Sequence, residues 1–246
     1  MTMVAMILAA GYATRLYPYT QNTAKPLLTV AGRPIIDYIV DGIRTLPGIE
    51  KIIVISNDRF YGHFKDWLAG KNDPMIRLLN DGTTSVENRL GAIGDICFAI
   101  NKEEIDSDLL IVAGDNLFTF EMAELLEMFN SLKRDCVCVK EVNDVEALRN
   151  LGVCELDNNN KVTAFVEKPT EPKSNKAVYA CYMIRRKTIP LIFEYVNEGI
   201  KRDAPGYFIE WLCDQTDVYA YIINGECYDI GTVEAYEDIQ RSFKNM

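Results

Sequence analysis

The segment Leu8-Ala9-Ala10-Gly11-Tyr12-Ala13-Thr14-Arg15 joins a run of small residues to a cation, and Lys25 follows a short way on. Small residues let backbone approach a ligand closely, and successive N–H groups can form a nest for an anion. Arg15 offers a planar fork that matches phosphate oxygens, and Lys25 a point charge. The same composition also fits an ordinary turn. Asp115, in Ala113-Gly114-Asp115-Asn116, and Asp229, in Tyr228-Asp229-Ile230-Gly231-Thr232, each close an apolar run. A carboxylate at such a place can hold a hard cation over phosphates. It can equally cap a turn or the next helix, with Thr232 the candidate cap of the last one.

Glu167-Lys168-Pro169 sets an acid beside a base. Neighbouring strand residues point to opposite faces, but Pro169 cannot donate to a central ladder, so the strand should end there. Both side chains are then free to meet one ligand. The plain alternative is a charged sheet edge.

The elements that must position these residues follow from the apolar runs. Val4 to Leu8, Lys51 to Ser56, Met75 to Leu79 and Leu109 to Ala113 read as buried strands. Helices begin near Pro34, run through Phe64 and Trp67, and begin near Arg89. Strands alternating with helices predict a parallel sheet, with ligands beyond the strands' carboxyl ends. The second half predicts strands over Cys136 to Val142, Gly152 to Leu156, Lys161 to Val166, Val178 to Ile184 and Val218 to Ile223. Helices are expected from about Thr188 to Asn197, from Phe208 to Cys213 and from Val233 to Phe243. The expected fold is α/β, a Rossmann-like, mixed and mainly parallel sheet flanked by helices. One domain is expected over 1–246, with a nucleotide-binding half at 1–130 and a mixed-sheet half at 131–246, the half to which the resemblance described below assigns sugar binding.

The formal charge of −10 argues against general attraction to nucleic acid or anionic lipid. Seven cysteines, an odd number without CxxC spacing, read as reduced core thiols of a cytoplasmic protein. With one histidine, His63, a zinc site or a histidine-based triad starts poorly. The apolar start lacks the basic region of a signal peptide, and no segment approaches the length of a membrane span.

Taken together, these segments resemble the sugar-1-phosphate nucleotidylyltransferases, above all the glucose-1-phosphate thymidylyl- and uridylyltransferase catalytic domain. The loop is similar to L-A-A-G-x-G-T-R-L/M followed by K-P-L/M-L, and the match runs on through Val30 to Ile36. Ala13 stands where that family usually has glycine, a cost of about 1 kcal/mol if the backbone there needs a positive φ. The resemblance implies that Asp115 and Asp229 hold Mg²⁺, and that Arg15 and Lys25 carry catalysis on the triphosphate. It places Leu8, Ala10, Gly11, Tyr12, Ala13 and Thr14 around the nucleotide. Asn80, with Gly82, sits about where a family glutamine reads the base. Glu167 and Lys168 match the V-E-K-P motif that binds sugar hydroxyls and sugar phosphate. Asn116, Gly152 and Tyr182 complete the expected sugar site. The left-handed β-helix tail of some relatives is not expected here.

The activity so implied joins a nucleoside triphosphate, dTTP or UTP by preference, to a sugar 1-phosphate, glucose 1-phosphate by preference, releasing pyrophosphate. One rival is a cytidylyltransferase acting on phosphocholine or another alcohol phosphate, for which Tyr207, Phe208 and Trp211 could form a cation-binding cluster. Another is a non-catalytic nucleotide-sugar sensor, which should have lost a metal aspartate or Lys25. Nothing in the sequence sets an oligomeric state.

Overall fold

The computed structural model describes residues 2–243. In chain order, β1 (Met3–Leu8) leads to a short hairpin of β2 (Thr29–Val30) and β3 (Arg33–Pro34), then α1 (Ile35–Arg44) and β4 (Ile49–Ser56). The first half continues with α2 (Asp58–Ala69), β5 (Ile76–Asn80), α3 (Ala92–Lys102) and β6 (Asp108–Ala113). There follow β7 (Asn116–Phe118), α4 (Met122–Leu132), β8 (Asp135–Glu141), the single turn α5 (Val145–Leu148), β9 (Gly152–Leu156) and β10 (Val162–Glu167). The last elements are β11 (Lys176–Ile184), α6 (Ile189–Asn197), α7 (Gly206–Gln215), β12 (Val218–Ile222), β13 (Cys227–Asp229) and α8 (Val233–Ser242).

The apolar runs become strands because both of their faces are covered. Met3, Ala5 and Ile7 of β1 pack into one core, with Leu110 and Val112 of β6. Val4 and Met6 enter the other, with Leu109 and Ile111. Period-two alternation thus sends neighbours into two apolar layers, as a doubly covered parallel strand requires. In α1, Ile35, Ile36, Ile39, Val40 and Ile43 are all buried, one face at helical spacing. The α2 helix starts where the Asn57 side chain accepts from the Phe60 amide at 3.0 Å.

Strand β1 lies at the centre, parallel to β4 on one side and β6 on the other, with β5 beyond β4. The chain therefore leaves β1 and β6 in diverging directions, and a crevice opens at their carboxyl ends. Strand β11 runs antiparallel beside β6 and extends the nine-stranded sheet into the second half. There it also pairs antiparallel with β8 and β9, while β10 pairs with β9 and β12 runs parallel to β8. The sheet is mixed, and its parallel part carries the first-half loops.

Two local expectations shift. The helix placed near Arg89 begins at Ala92, because Gly91 holds φ +77°, outside the helical region. Pro34 pairs with Thr29 in the small hairpin and stands just ahead of α1. All seven cysteines are free thiols, six of them buried. Burial pushes the Cys97 thiol up to about 11, in keeping with core packing.

Candidate active site

The loops after β1 and β6 meet at one end of a cleft of about 850 Å³ that crosses toward β9, β10 and the start of α7. Leu8, Gly11, Ala13 and Arg15 line it. The loop is held from behind. Asn57 Nδ2 donates to the Ala10 carbonyl at 2.9 Å, and the Tyr12 hydroxyl donates to Thr83 Oγ1 at 3.2 Å. Ala10 and Tyr12 are buried and anchor the loop, while Thr14 and Arg15 are exposed on the short 3-10 turn after it. Ala13 has φ 46° and ψ 42°, so the family's glycine position does demand a left-handed residue. Thr20 Oγ1 donates to the Ala13 carbonyl at 2.7 Å and helps hold it there.

At the floor, Lys25 Nζ donates to Asp115 Oδ2 at 2.6 Å and stands 3.9 Å from Asp229 Oδ1. The lysine is 8% exposed, so its charge is held in place rather than free in water. Asp115 follows Gly114, where an added Cβ would meet the Leu8 carbonyl at 2.8 Å and Pro26 Cγ at 2.9 Å. Only glycine lets the β6 end pass so close to the β1 end. Asp229 arrives on a two-stranded ribbon in which β13 pairs antiparallel with β7, Asp229 opposite Asn116. Asp115 caps no helix, since β7 follows it directly; it sits in the turn between β6 and β7. Thr232 does cap α8, its Oγ1 accepting from the Ala235 amide at 3.2 Å. The Asp229 side chain meets solvent yet lies deep in the cleft. Burial and then the like charge of Asp115 raise its carboxyl, against the pull of Lys25, Arg15 and Lys168.

The far wall carries Glu167 and Lys168. Strand β10 ends at Glu167, and Lys168 takes φ 54°, so both neighbours line the same cleft. The Lys168 amide donates to the Leu151 carbonyl at 3.1 Å, and the Glu167 amide to Glu210 Oε2 at 3.1 Å. A Cβ on Gly152 would sit 2.9 Å from Glu167 Oε2, and one on Gly206 would collide with that oxygen. The Glu167 carboxyl is therefore wedged against two glycine backbones. Burial, offset by Lys168 and reinforced by Glu210, lifts it from 4.5 to about 7. Tyr182, 3% exposed on β11, and Asn116 also line the cleft.

Asn80 and Gly82 do not line it. Asn80 Nδ2 donates to Asp58 Oδ1 at 2.7 Å, and its Oδ1 accepts from the Gly82 amide at 2.8 Å. The aromatic cluster imagined for a cationic acceptor lies elsewhere. Phe208 is buried against Tyr195, the Trp211 indole donates to Glu198 Oε2, and Lys201 covers the Tyr207 ring at 4.9 Å. The segment Asp203-Ala204-Pro205-Gly206 on the cleft wall was not foreseen. Its Pro-Gly pair ahead of a helix was the one signal that could have marked it.

A sequence model of the nucleotidyl transferase family matches residues 4–245. The chain belongs to that family. It is 30% identical to the bifunctional protein GlmU of Methanocaldococcus jannaschii over 93% of this chain and 51% of that protein. It is 27% identical to the glucose-1-phosphate adenylyltransferase of Clostridium novyi over 95% of this chain and 64% of the relative. The chain thus spans between half and two-thirds of the length of these curated relatives. In fold it is similar to a candidate glucose-1-phosphate thymidylyltransferase from Bacillus anthracis, in a structure containing sucrose. The TM-score is 0.83 at 23% identity, covering 100% of this chain and 97% of that one. A UDP-glucose pyrophosphorylase complexed with UDP-glucose is similar at a TM-score of 0.80 and 19% identity, covering 99% and 98%. Among the described residues no helix is long and apolar enough to cross a membrane.

Proposed function

We propose that this nucleotidyl transferase joins a nucleoside triphosphate, dTTP or UTP by preference, to a sugar 1-phosphate, glucose 1-phosphate by preference, and releases pyrophosphate. The observation that carries this reading is one cleft with Lys25, Asp115 and Asp229 at one end and Glu167 and Lys168 at the other. Arg15 holds the β- and γ-phosphates, and Lys25 faces the reacting α-phosphate. Lys168 holds the phosphate of the acceptor, whose sugar hydroxyls donate to Glu167. An acceptor oxygen attacks the α-phosphorus, the bond from that phosphorus to the bridging oxygen breaks, and the electron pair leaves with pyrophosphate. A phosphate monoester is already nucleophilic, so positioning and charge neutralisation suffice.

Asp115 and Asp229 both reach within 4 Å of one ammonium, and burial, then the like charge of Asp115, raises the Asp229 carboxyl. Two such carboxylates fit a hard cation. Asp115 and Asp229 would hold Mg²⁺, which would supply positive charge against that building on the triphosphate. The test is pyrophosphate release across a panel of triphosphates with sugar 1-phosphates and phosphocholine as acceptors. Release with a sugar 1-phosphate supports the reading, and release with phosphocholine alone overturns the acceptor assignment.

A further inference from the structure

Arg89 and Asp203 come from the first and second halves of the chain and are joined by a two-pronged bridge. Arg89 Nε donates to Asp203 Oδ1 at 3.1 Å, and Nη2 stands 3.0 Å from Oδ2. Two parallel contacts of a guanidinium fork fix orientation as well as distance. Two residues on, backbones touch. The Ile93 amide donates to the Arg202 carbonyl at 3.3 Å, and a Cβ on Gly91 would meet that carbonyl oxygen at 2.6 Å. The loop from Asn80 to Gly91 is therefore pinned to the segment from Arg202 to Gly206. Asp203 to Gly206 of that segment is also cleft wall, and the Gly206 backbone is what Glu167 Oε2 rests against.

We propose that the Arg89–Asp203 bridge is a positioning clamp that couples recognition of the base to recognition of the acceptor. The inference rests on the reading above, in which Glu167 serves the sugar, and on the sequence expectation that the loop carrying Asn80 serves the base. Neither Arg89 nor Asp203 need touch a reacting atom. A shift of the Arg202–Gly206 backbone moves the support under the Glu167 carboxyl, and the same shift moves the loop that carries Asn80 and Gly82. Coupling of this kind is reciprocal for binding. A change on the acceptor side must therefore be felt on the base side, and the reverse.

The experiment measures full kinetics of the whole chain for R89A, D203A and the charge swap R89D/D203R, with thermal midpoints alongside. Because both side chains are partly exposed, a single loss is expected to be worth about two- to fivefold. Arg89→Ala should raise the acceptor KM by that factor. Asp203→Ala, on the acceptor side, should lower discrimination between the best triphosphate and its competitors by a similar factor. The swap should recover most of both effects. Gly91→Ala, which drives a Cβ into the Arg202 carbonyl, should show the same two effects more strongly if it folds. Variants that change only the thermal midpoint, or a swap that recovers neither effect, overturn the clamp. Wild-type activity across the acceptor panel decides the proposed function separately. If the acceptor proves to be another phosphate, the same cross-effects are read with that compound.

Discussion

Lys25 and Asp115 meet at 2.6 Å, a cation and an anion drawn from the loops after two neighbouring parallel strands. A divalent cation on Asp115 competes with this ammonium for the same carboxylate. Lys25→Ala should therefore bind Mn²⁺ or Mg²⁺ more tightly in the absence of nucleotide, by calorimetric titration. Its turnover should fall by about a hundredfold, since charge at the α-phosphate loses its partner. Weaker metal binding in this variant would overturn the shared-carboxylate arrangement.

Asp115→Asn and Asp229→Asn keep shape and remove charge. Each should lower turnover by about a thousandfold or more, with the folded state retained by circular dichroism. Near-normal rates with Mg²⁺ in both variants would remove the pair from metal binding.

Glu167 supplies a pH signature. Its carboxyl is lifted from 4.5 to about 7 by burial. The folded chain holds this proton where the unfolded chain has lost it, so the contribution to stability is fully present below 4.5. It declines as pH rises through the window up to about 7 and is flat above. Catalysis runs the other way, because the ionised carboxylate offers both oxygens as charged acceptors to the hydroxyls, whereas the neutral acid turns one of them into a donor. The acceptor kcat/KM should rise with pH through about 7, and Glu167→Gln should lose both that rise and the stability slope. A wild-type profile without an inflection near neutrality would contradict the assignment.

How much was legible beforehand can be judged residue by residue. The apolar runs marked β1, β4, β6 and β9 nearly to their ends, because strands covered on both faces have no polar side to blur them. Pro169 foretold the end of β10 and thus the shared cleft of Glu167 and Lys168. The ribbon of β7 and β13 was invisible, since three-residue strands carry no usable periodicity, yet it is what brings Asp229 to Asp115. Helix α4 was passed over, although Met122, Leu125, Leu126 and Phe129 do form a buried helical face. Arg89 was marked only as the neighbourhood of a helix start, and its partner, Asp203, is more than a hundred residues away.

Asn80 makes a further test. Both ends of its amide are engaged, one with Asp58 and one with Gly82. Reading a base requires exchanging one of these partners. Asn80→Ala should flatten the preference among triphosphates more than it lowers the best rate. Asp58→Ala, which frees the amide N–H, should preserve that preference. If Asn80→Ala leaves the preference unchanged, Asn80 is a loop brace and the base is read elsewhere.

Ala13 carries a conformational cost at φ 46°. Ala13→Gly relieves it but adds freedom to the unfolded chain, leaving a net stabilisation of about 0.5–1 kcal/mol. The thermal midpoint should rise by about 1–4 °C. A lowered midpoint would mean that the alanine methyl packs usefully against the loop.

The β7–β13 ribbon gives the molecule a particular order of completion. Asp115 and Asp229 are separated by nearly half the chain, and Asp229 is laid down only when the ribbon closes. Synthesis from the N-terminal side releases the loop after β1, Lys25 and Asp115 long before the second carboxylate exists. A nascent chain can thus assemble an anion-binding loop while lacking the partner acid. A chain ending between β12 and β13 retains every strand of the nine-stranded sheet and lacks only the second acid, so it should fold its sheet and lose turnover.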